Sequence, residues 1–131
     1  MLKEISVSTT QKQEITEITE KVKRIIAKSG IKEGICVIYC THTSAAISIN
    51  EVYDPAVGKD ILYALNQIVP IEGYKHSEGN SEAHVKSSLV GASESLIIKD
   101  GKIVLGKWQG IIFCEFDGPR ERKVLVKIIG D

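Results

Sequence analysis

Gly34 opens an unbroken apolar run, residues 35–40 (Ile-Cys-Val-Ile-Tyr-Cys), and this run constrains the fold more than any other feature. Its length and β-branching mark a strand buried in a core. A buried strand needs neighbours, and the flanking patterns supply them in a particular order. Residues 2–9 alternate apolar and polar as a strand, and residues 11–15 make a second short one. Ile18, Val22, Ile25 and Ile26 then recur at helical spacing, with Thr16 as the expected N-cap and Ser29-Gly30 as the stop. After the central run, residues 41–43 interrupt and residues 45–50 continue as a strand.

Asp54-Pro55 is a strong helix start, since Asp caps and Pro at the first position gives up a donor that is orphaned anyway. Val57, Ile61, Leu65 and Ile68 form the expected buried stripe, and Pro70 ends it. Ser81 is placed to cap a short helix to about residue 90, with Val85 and Leu89 facing the core. Strands follow at residues 93–98, 103–105, 111–117 and 123–129. Asp100-Gly101 suits a tight hairpin turn, and Gly106 and Gly110 bracket a bend at Trp108-Gln109. The order is strands, helix, strands, helices, strands. It predicts an α+β fold, with helices covering a mixed, mainly antiparallel sheet.

A chain of 131 residues suits one domain. Seventeen basic residues balance seventeen acidic ones, which argues against nucleic acid or a membrane surface as a charge-driven partner. Cys36, Cys40 and Cys114 are odd in number and sit in apolar runs, so a disulfide framework is not expected. No stretch reaches the ~18 apolar residues of a membrane span, and residues 1–4 lack the layout of a secretion signal. The expected location is the cytoplasm.

All three histidines fall in two short polar segments, residues 40–44 and 76–88. Alternation puts Cys36, Ile38, Cys40 and His42 on one face if the strand continues to His42. His84 and Ser88, four apart on a helix, look away from the packed face and towards His76. Three converging imidazoles would suit zinc or a similar divalent ion with an open position; ordinary loop histidines fit the same spacing. Residues 77–81, which lead into the short helix, offer free N–H groups to an anion, with Lys86, Ser87, Ser88 and Arg120 as further donors. Glu115 lies in an apolar run and shares a face with Ile111 and Phe113, so its carboxylate must be paired, hydrogen-bonded, metal-bound or raised in pKa. Trp108, the one Trp, could stack on a flat ring or pack in an interface.

Three ordered motifs then point to a family. They are residues 42–46 with Ile49-Asn50-Glu51 and Asp54-Pro55; residues 76–89; and residues 106–111 with Cys114-Glu115 and Gly118-Pro119-Arg120. Over about residues 2–130 the chain resembles the secondary thiamine-phosphate synthase family, the YjbQ-like proteins. The resemblance implies a pseudo-barrel capped by helices, a homotrimer, and a pocket between subunits where His42, His76 and His84 meet. It also implies transfer of a pyrimidine-methyl diphosphate onto a thiazole phosphate with release of pyrophosphate. On that scheme His42, His84 and Glu115 are catalytic, and His42, His76 and His84 are metal ligands. Ser44, Asn80, Lys86, Ser88, Trp108, Gln109 and Arg120 hold a small phosphorylated metabolite. A hydrolase or lyase with a His-bound metal and a non-catalytic trimer binding a metal or phosphometabolite are the alternatives.

Overall fold

The computed structural model describes residues 1–131. Its elements are β1 (Leu2–Ser8), β2 (Glu14–Glu17), α1 (Thr19–Ser29), β3 (Gly34–Cys40), β4 (Ala45–Glu51), α2 (Pro55–Ile68), α3 (Ser81–Val90), β5 (Ser93–Lys99), β6 (Lys102–Ile103), β7 (Gln109–Glu115) and β8 (Glu121–Gly130). The class is α+β, as the pattern order predicts. A five-stranded sheet runs β1-β8-β3-β5-β6 and a three-stranded sheet runs β2-β7-β4. All six strand pairings are antiparallel.

β7 shows how the layers stack. Ile111 and Phe113 join a buried cluster of 18 residues that includes Cys36 and Ile38 of β3 and Val22 and Ile26 of α1. On the opposite face, Ile112 and Cys114 join a second cluster with Leu65 of α2 and Ala83 of α3. A strand covered on both faces has no reason to alternate, which explains its continuous apolar sequence. β3 does alternate: Cys36, Ile38 and Cys40 face the core, while Ile35 and Tyr39 are exposed.

Local chemistry sets most boundaries. The Asp54 carboxylate accepts from Ala56 N–H at 2.9 Å and caps α2. α1 ends on Gly30 in the left-handed region. Asp100 and Gly101, with φ of 53° and 77°, make the β5–β6 turn. Three expectations shift. β2 begins at Glu14 because that carboxylate folds back onto Thr10 and Gln11 N–H groups at 2.7 and 3.0 Å. Thr16 lies within β2 and caps nothing; α1 starts at Thr19 without a side-chain cap. Ile68, at the end of α2, is exposed instead of completing the buried stripe.

The largest departure is α3. Val85 and Leu89 are exposed, whereas Ser81, Ala83, Lys86 and Ser87 are buried. β4 edges its sheet, and its unpaired backbone groups need partners. α3 and its C-terminal turn supply them. Ser87 Oγ–H donates to Ala45 C=O at 2.7 Å, and Ile47 N–H donates to Gly91 C=O at 3.0 Å. His84 Nδ1–H donates to Thr43 C=O, just before β4, at 2.9 Å. These bonds choose the buried face, and the two apolar residues turn outward.

β3 and β8 approach so closely at Gly34 that an added Cβ would lie 2.1 Å from the Ile129 carbonyl oxygen. Gly34→Ala should therefore break the β3–β8 register, giving little folded protein by circular dichroism. A variant with wild-type melting would refute this packing.

Candidate functional site

Both histidine-bearing segments line one open pocket of about 560 Å³, at the C-terminal end of β3. Its walls carry His42, His76 and His84 together with Tyr39, Thr41 and Ser88. β3 ends at Cys40, so His42 is placed by the loop and not by strand alternation.

Hydrogen bonds set the protonation of two rings. His84 Nδ1 faces the Thr43 carbonyl, which can only accept, so Nδ1 carries the proton. Its Nε2 lone pair has no protein partner. Lys123 N–H donates to His42 Nε2 at 2.9 Å, which leaves the His42 proton on Nδ1. Burial, reinforced by the Arg122 guanidinium, holds the His42 pKa below its ordinary value. His76 Nδ1 is 2.7 Å from Ser81 Oγ, which in turn lies 3.3 Å from the His76 carbonyl. The Ser81 hydroxyl can donate to either, so His76 can hold its proton on either nitrogen. The His76 and His84 rings meet edge to face with centroids 5.2 Å apart.

Glu115 lies outside this pocket and is fully buried. Oε1 accepts from Thr9 Oγ1 at 2.7 Å and Arg122 Nε at 2.8 Å; Oε2 accepts from Asp117 N–H at 3.1 Å and from Arg122 Nη2. Burial alone would raise its pKa, but these donors outweigh it and hold the carboxyl below the ordinary value. None of its partners is a histidine. Arg122 Nη2 also donates to Ser44 Oγ at 2.9 Å. Arg122 is the functional neighbour that sequence reasoning missed. It shares an inward face with Val124, Val126 and Ile128, and a buried cation there implies a buried anion.

The expected phosphate-binding residues divide. Ser88 lines the pocket, and Ser44 lies beneath Arg122. Lys86 is 2% exposed, and its ammonium bonds Asn66 Oδ1 on α2. Burial lowers its pKa. Asn80 and Arg120 converge on Asp117: Asn80 Nδ2 and Arg120 Nη2 each donate to Oδ2 at 2.9 Å, with Lys12 3.5 Å from Oδ1. Trp108 and Gln109 sit at the far end of β7 from Glu115, about 20 Å along the strand. Trp108 packs edge-on against Tyr53, and Gln109 Oε1 accepts from Gly106 N–H at 2.8 Å. Within one chain, then, the three histidines and Ser88 come together, while Lys86, Arg120, Trp108 and Gln109 lie elsewhere.

A three-histidine metal centre fits this arrangement poorly. His42 Nε2 is occupied by a backbone N–H, and no three His, Cys, Asp or Glu side chains are grouped to hold one ion.

Comparison with known proteins places this geometry. A family model described as UPF0047 protein YjbQ-like matches residues 3–131. A UPF0047 protein of Methanocaldococcus jannaschii is 52% identical, covering 100% of this chain and 96% of its own length. UPF0047 protein YugU of Bacillus subtilis is 47% identical, covering 99% and 100%. Among solved structures, a YjbQ/UPF0047 protein of Clostridium acetobutylicum superposes with a TM-score of 0.93 at 52% identity, covering 96% of this chain and 98% of its own. A protein of unknown function from Sulfolobus solfataricus gives a TM-score of 0.96 at 38% identity, covering 100% and 97%.

The environment of His42 predicts a pH dependence. Its folded pKa lies below the ordinary 6.5, so below about pH 6.5 the unfolded chain binds that proton more readily. The stabilisation is present above that pH and is lost as pH falls towards the folded pKa. The depressed carboxylates act in a separate, more acidic window. Thermal midpoints should therefore fall below about pH 6.5 in the wild type and fall less in His42→Gln. Equal slopes would remove His42 as the cause.

Proposed function

The chain belongs to the YjbQ-like UPF0047 family, and we propose that it is a small-molecule enzyme working by histidine acid–base chemistry. The observation that carries this is the bond from His84 Nδ1–H to Thr43 C=O, which leaves a fixed Nε2 lone pair at the pocket. An imidazole titrates near neutrality, which suits a general base. In this reading His84 Nε2 takes a proton from the pyrimidine amine as the C–O bond to the diphosphate breaks, and gives it back once the thiazole nitrogen has bonded to the freed carbon. His42, kept neutral, donates a hydrogen bond from Nδ1–H to the oxygen where charge develops. His76, beside His84 and able to protonate on either nitrogen, returns a proton to the departing group.

The substrate we propose is a small phosphorylated metabolite. Thr41, Thr43 and Ser88 offer hydroxyl donors to phosphate oxygens. The first reaction to test is the one the family resemblance implies, joining a pyrimidine-methyl diphosphate to a thiazole phosphate. No Lys or Arg lines the pocket, so charge on a leaving diphosphate would be met from outside one chain. A homotrimer would provide that. Ile129, Ile35 and Ile97 lie side by side across β8, β3 and β5, exposed on the outer sheet face, and Tyr39 on that face reaches the pocket rim. An exposed apolar row of this kind favours a covering partner. The three cysteines are unpaired, which supports a reducing, cytoplasmic setting. No helix is long and apolar enough to cross a membrane.

With the two thiamine precursors as substrates, His84→Ala should lower kcat by about 10²–10⁴-fold while circular dichroism stays native. Full turnover in that variant would sink the base assignment. Sedimentation should give three times the mass of one chain, and a monomer at micromolar concentration would overturn the trimer.

A further inference from the structure

Two backbone groups hold two of the pocket's three histidines: Thr43 C=O for His84 and Lys123 N–H for His42, each at 2.9 Å. Each is next in sequence to one end of the same buried contact, since Ser44 follows Thr43 and Arg122 precedes Lys123. That contact is Arg122 Nη2–H to Ser44 Oγ at 2.9 Å. We propose that Arg122 and Ser44, anchored by Glu115, are positioning residues that set the protonated nitrogen of both His84 and His42.

The anchoring is unusually complete. Glu115 grips the guanidinium through Nε and Nη2, and its remaining acceptor capacity is filled by Thr9 Oγ1 and Asp117 N–H. Arg122 and Glu115 are 3% and 0% exposed, so water cannot substitute for a lost partner without opening the core. The planar fork fixes Nη2 in direction as well as distance. Ser44 is thereby tied to β8, and the carbonyl one residue earlier is aimed at α3. The Lys123 amide, one residue beyond the fork, is aimed at the β3–β4 loop. Each ring nitrogen that meets one of these groups has its proton decided by it, because a carbonyl only accepts and an amide N–H only donates.

The proposal gives the acid–base reading its structural origin and rests on that reading for its catalytic meaning. Its test reads the rings directly, so failure of one idea is told apart from failure of the other. Long-range nitrogen NMR of the histidine rings in the intact protein distinguishes Nδ1–H from Nε2–H imidazole. The wild type should show both His84 and His42 as Nδ1–H forms at a pH above their titration. Ser44→Ala removes the acceptor, and Arg122→Lys keeps the charge without the fork. Each should convert both rings from a single form to a mixture. Val22→Ala, a core truncation on α1 that removes no hydrogen bond of the bridge, should leave both rings unchanged. Retention of the single form in folded Ser44→Ala and Arg122→Lys would overturn the proposal, and so would an equal loss in Val22→Ala.

Discussion

The buried ion pair between Glu115 and Arg122 is the contact on which the arrangement of the two sheets turns. Glu115 ends β7 in the three-stranded sheet, and Arg122 lies near the start of β8 in the five-stranded one. Hydrophobic contact joins the sheets along most of their length, but it is non-directional. The pair adds direction at one end, and it recruits Thr9 from the end of β1 and Ser44 from the β3–β4 loop. Removing one partner of such a pair costs about 3–5 kcal/mol, because it strands the other charge in the core. Against a total stability of about 5–15 kcal/mol for a small domain, one substitution here threatens the whole fold.

The same preference for satisfied polar groups over buried apolar area decides how α3 docks. Turning Val85 and Leu89 inward would gain up to about 1.5–3 kcal/mol each. It would also withdraw Ser87 from Ala45 C=O and His84 from Thr43 C=O, and it would disturb the Gly91 carbonyl that takes Ile47 N–H. Each backbone group left buried without a partner costs about 1–3 kcal/mol. The two sums are of similar size. The balance falls to the polar face because Ala83 already packs beneath the helix and Lys86 finds Asn66.

This competition explains what could be read from the residues and what could not. Alternation located β1, a continuous β-branched apolar run located β3, and Asp54-Pro55 marked the start of α2, because each signal is local. The face of α3 escaped, since its deciding partners, Thr43 and Ala45, lie some forty residues earlier and leave no period in the helix. Glu115 was recognisable as a charge needing a partner. Arg122 stood on an inward face with Val124 and Val126, yet it was hidden by placing the start of the last strand one residue too late to include it. The convergence of His42, His76 and His84 followed from their two segments. The separation of Trp108 and Gln109 from them depends on β7 being a straight seven-residue strand, with these groups and Glu115 at opposite ends.

Three cations that could have served a phosphate, Arg122, Arg120 and Lys86, are committed outside the pocket. Arg122 is held by Glu115, Arg120 by Asp117, and Lys86 by Asn66. What faces the pocket within one chain is imidazole and hydroxyl. On the proposed acid–base reading, reactivity there depends on which ring nitrogen holds a proton, and for His84 and His42 that is set by two backbone groups. The committed cations still act through their field: Arg122 supplements burial in keeping His42 uncharged. A neutral His42 can accept the Lys123 amide on Nε2 and keep a donor on Nδ1. A protonated His42 could not accept that bond and would loosen the loop carrying Thr43, whose carbonyl orients His84. The charge state of one histidine thus bears on the geometry of the other, through the loop between β3 and β4.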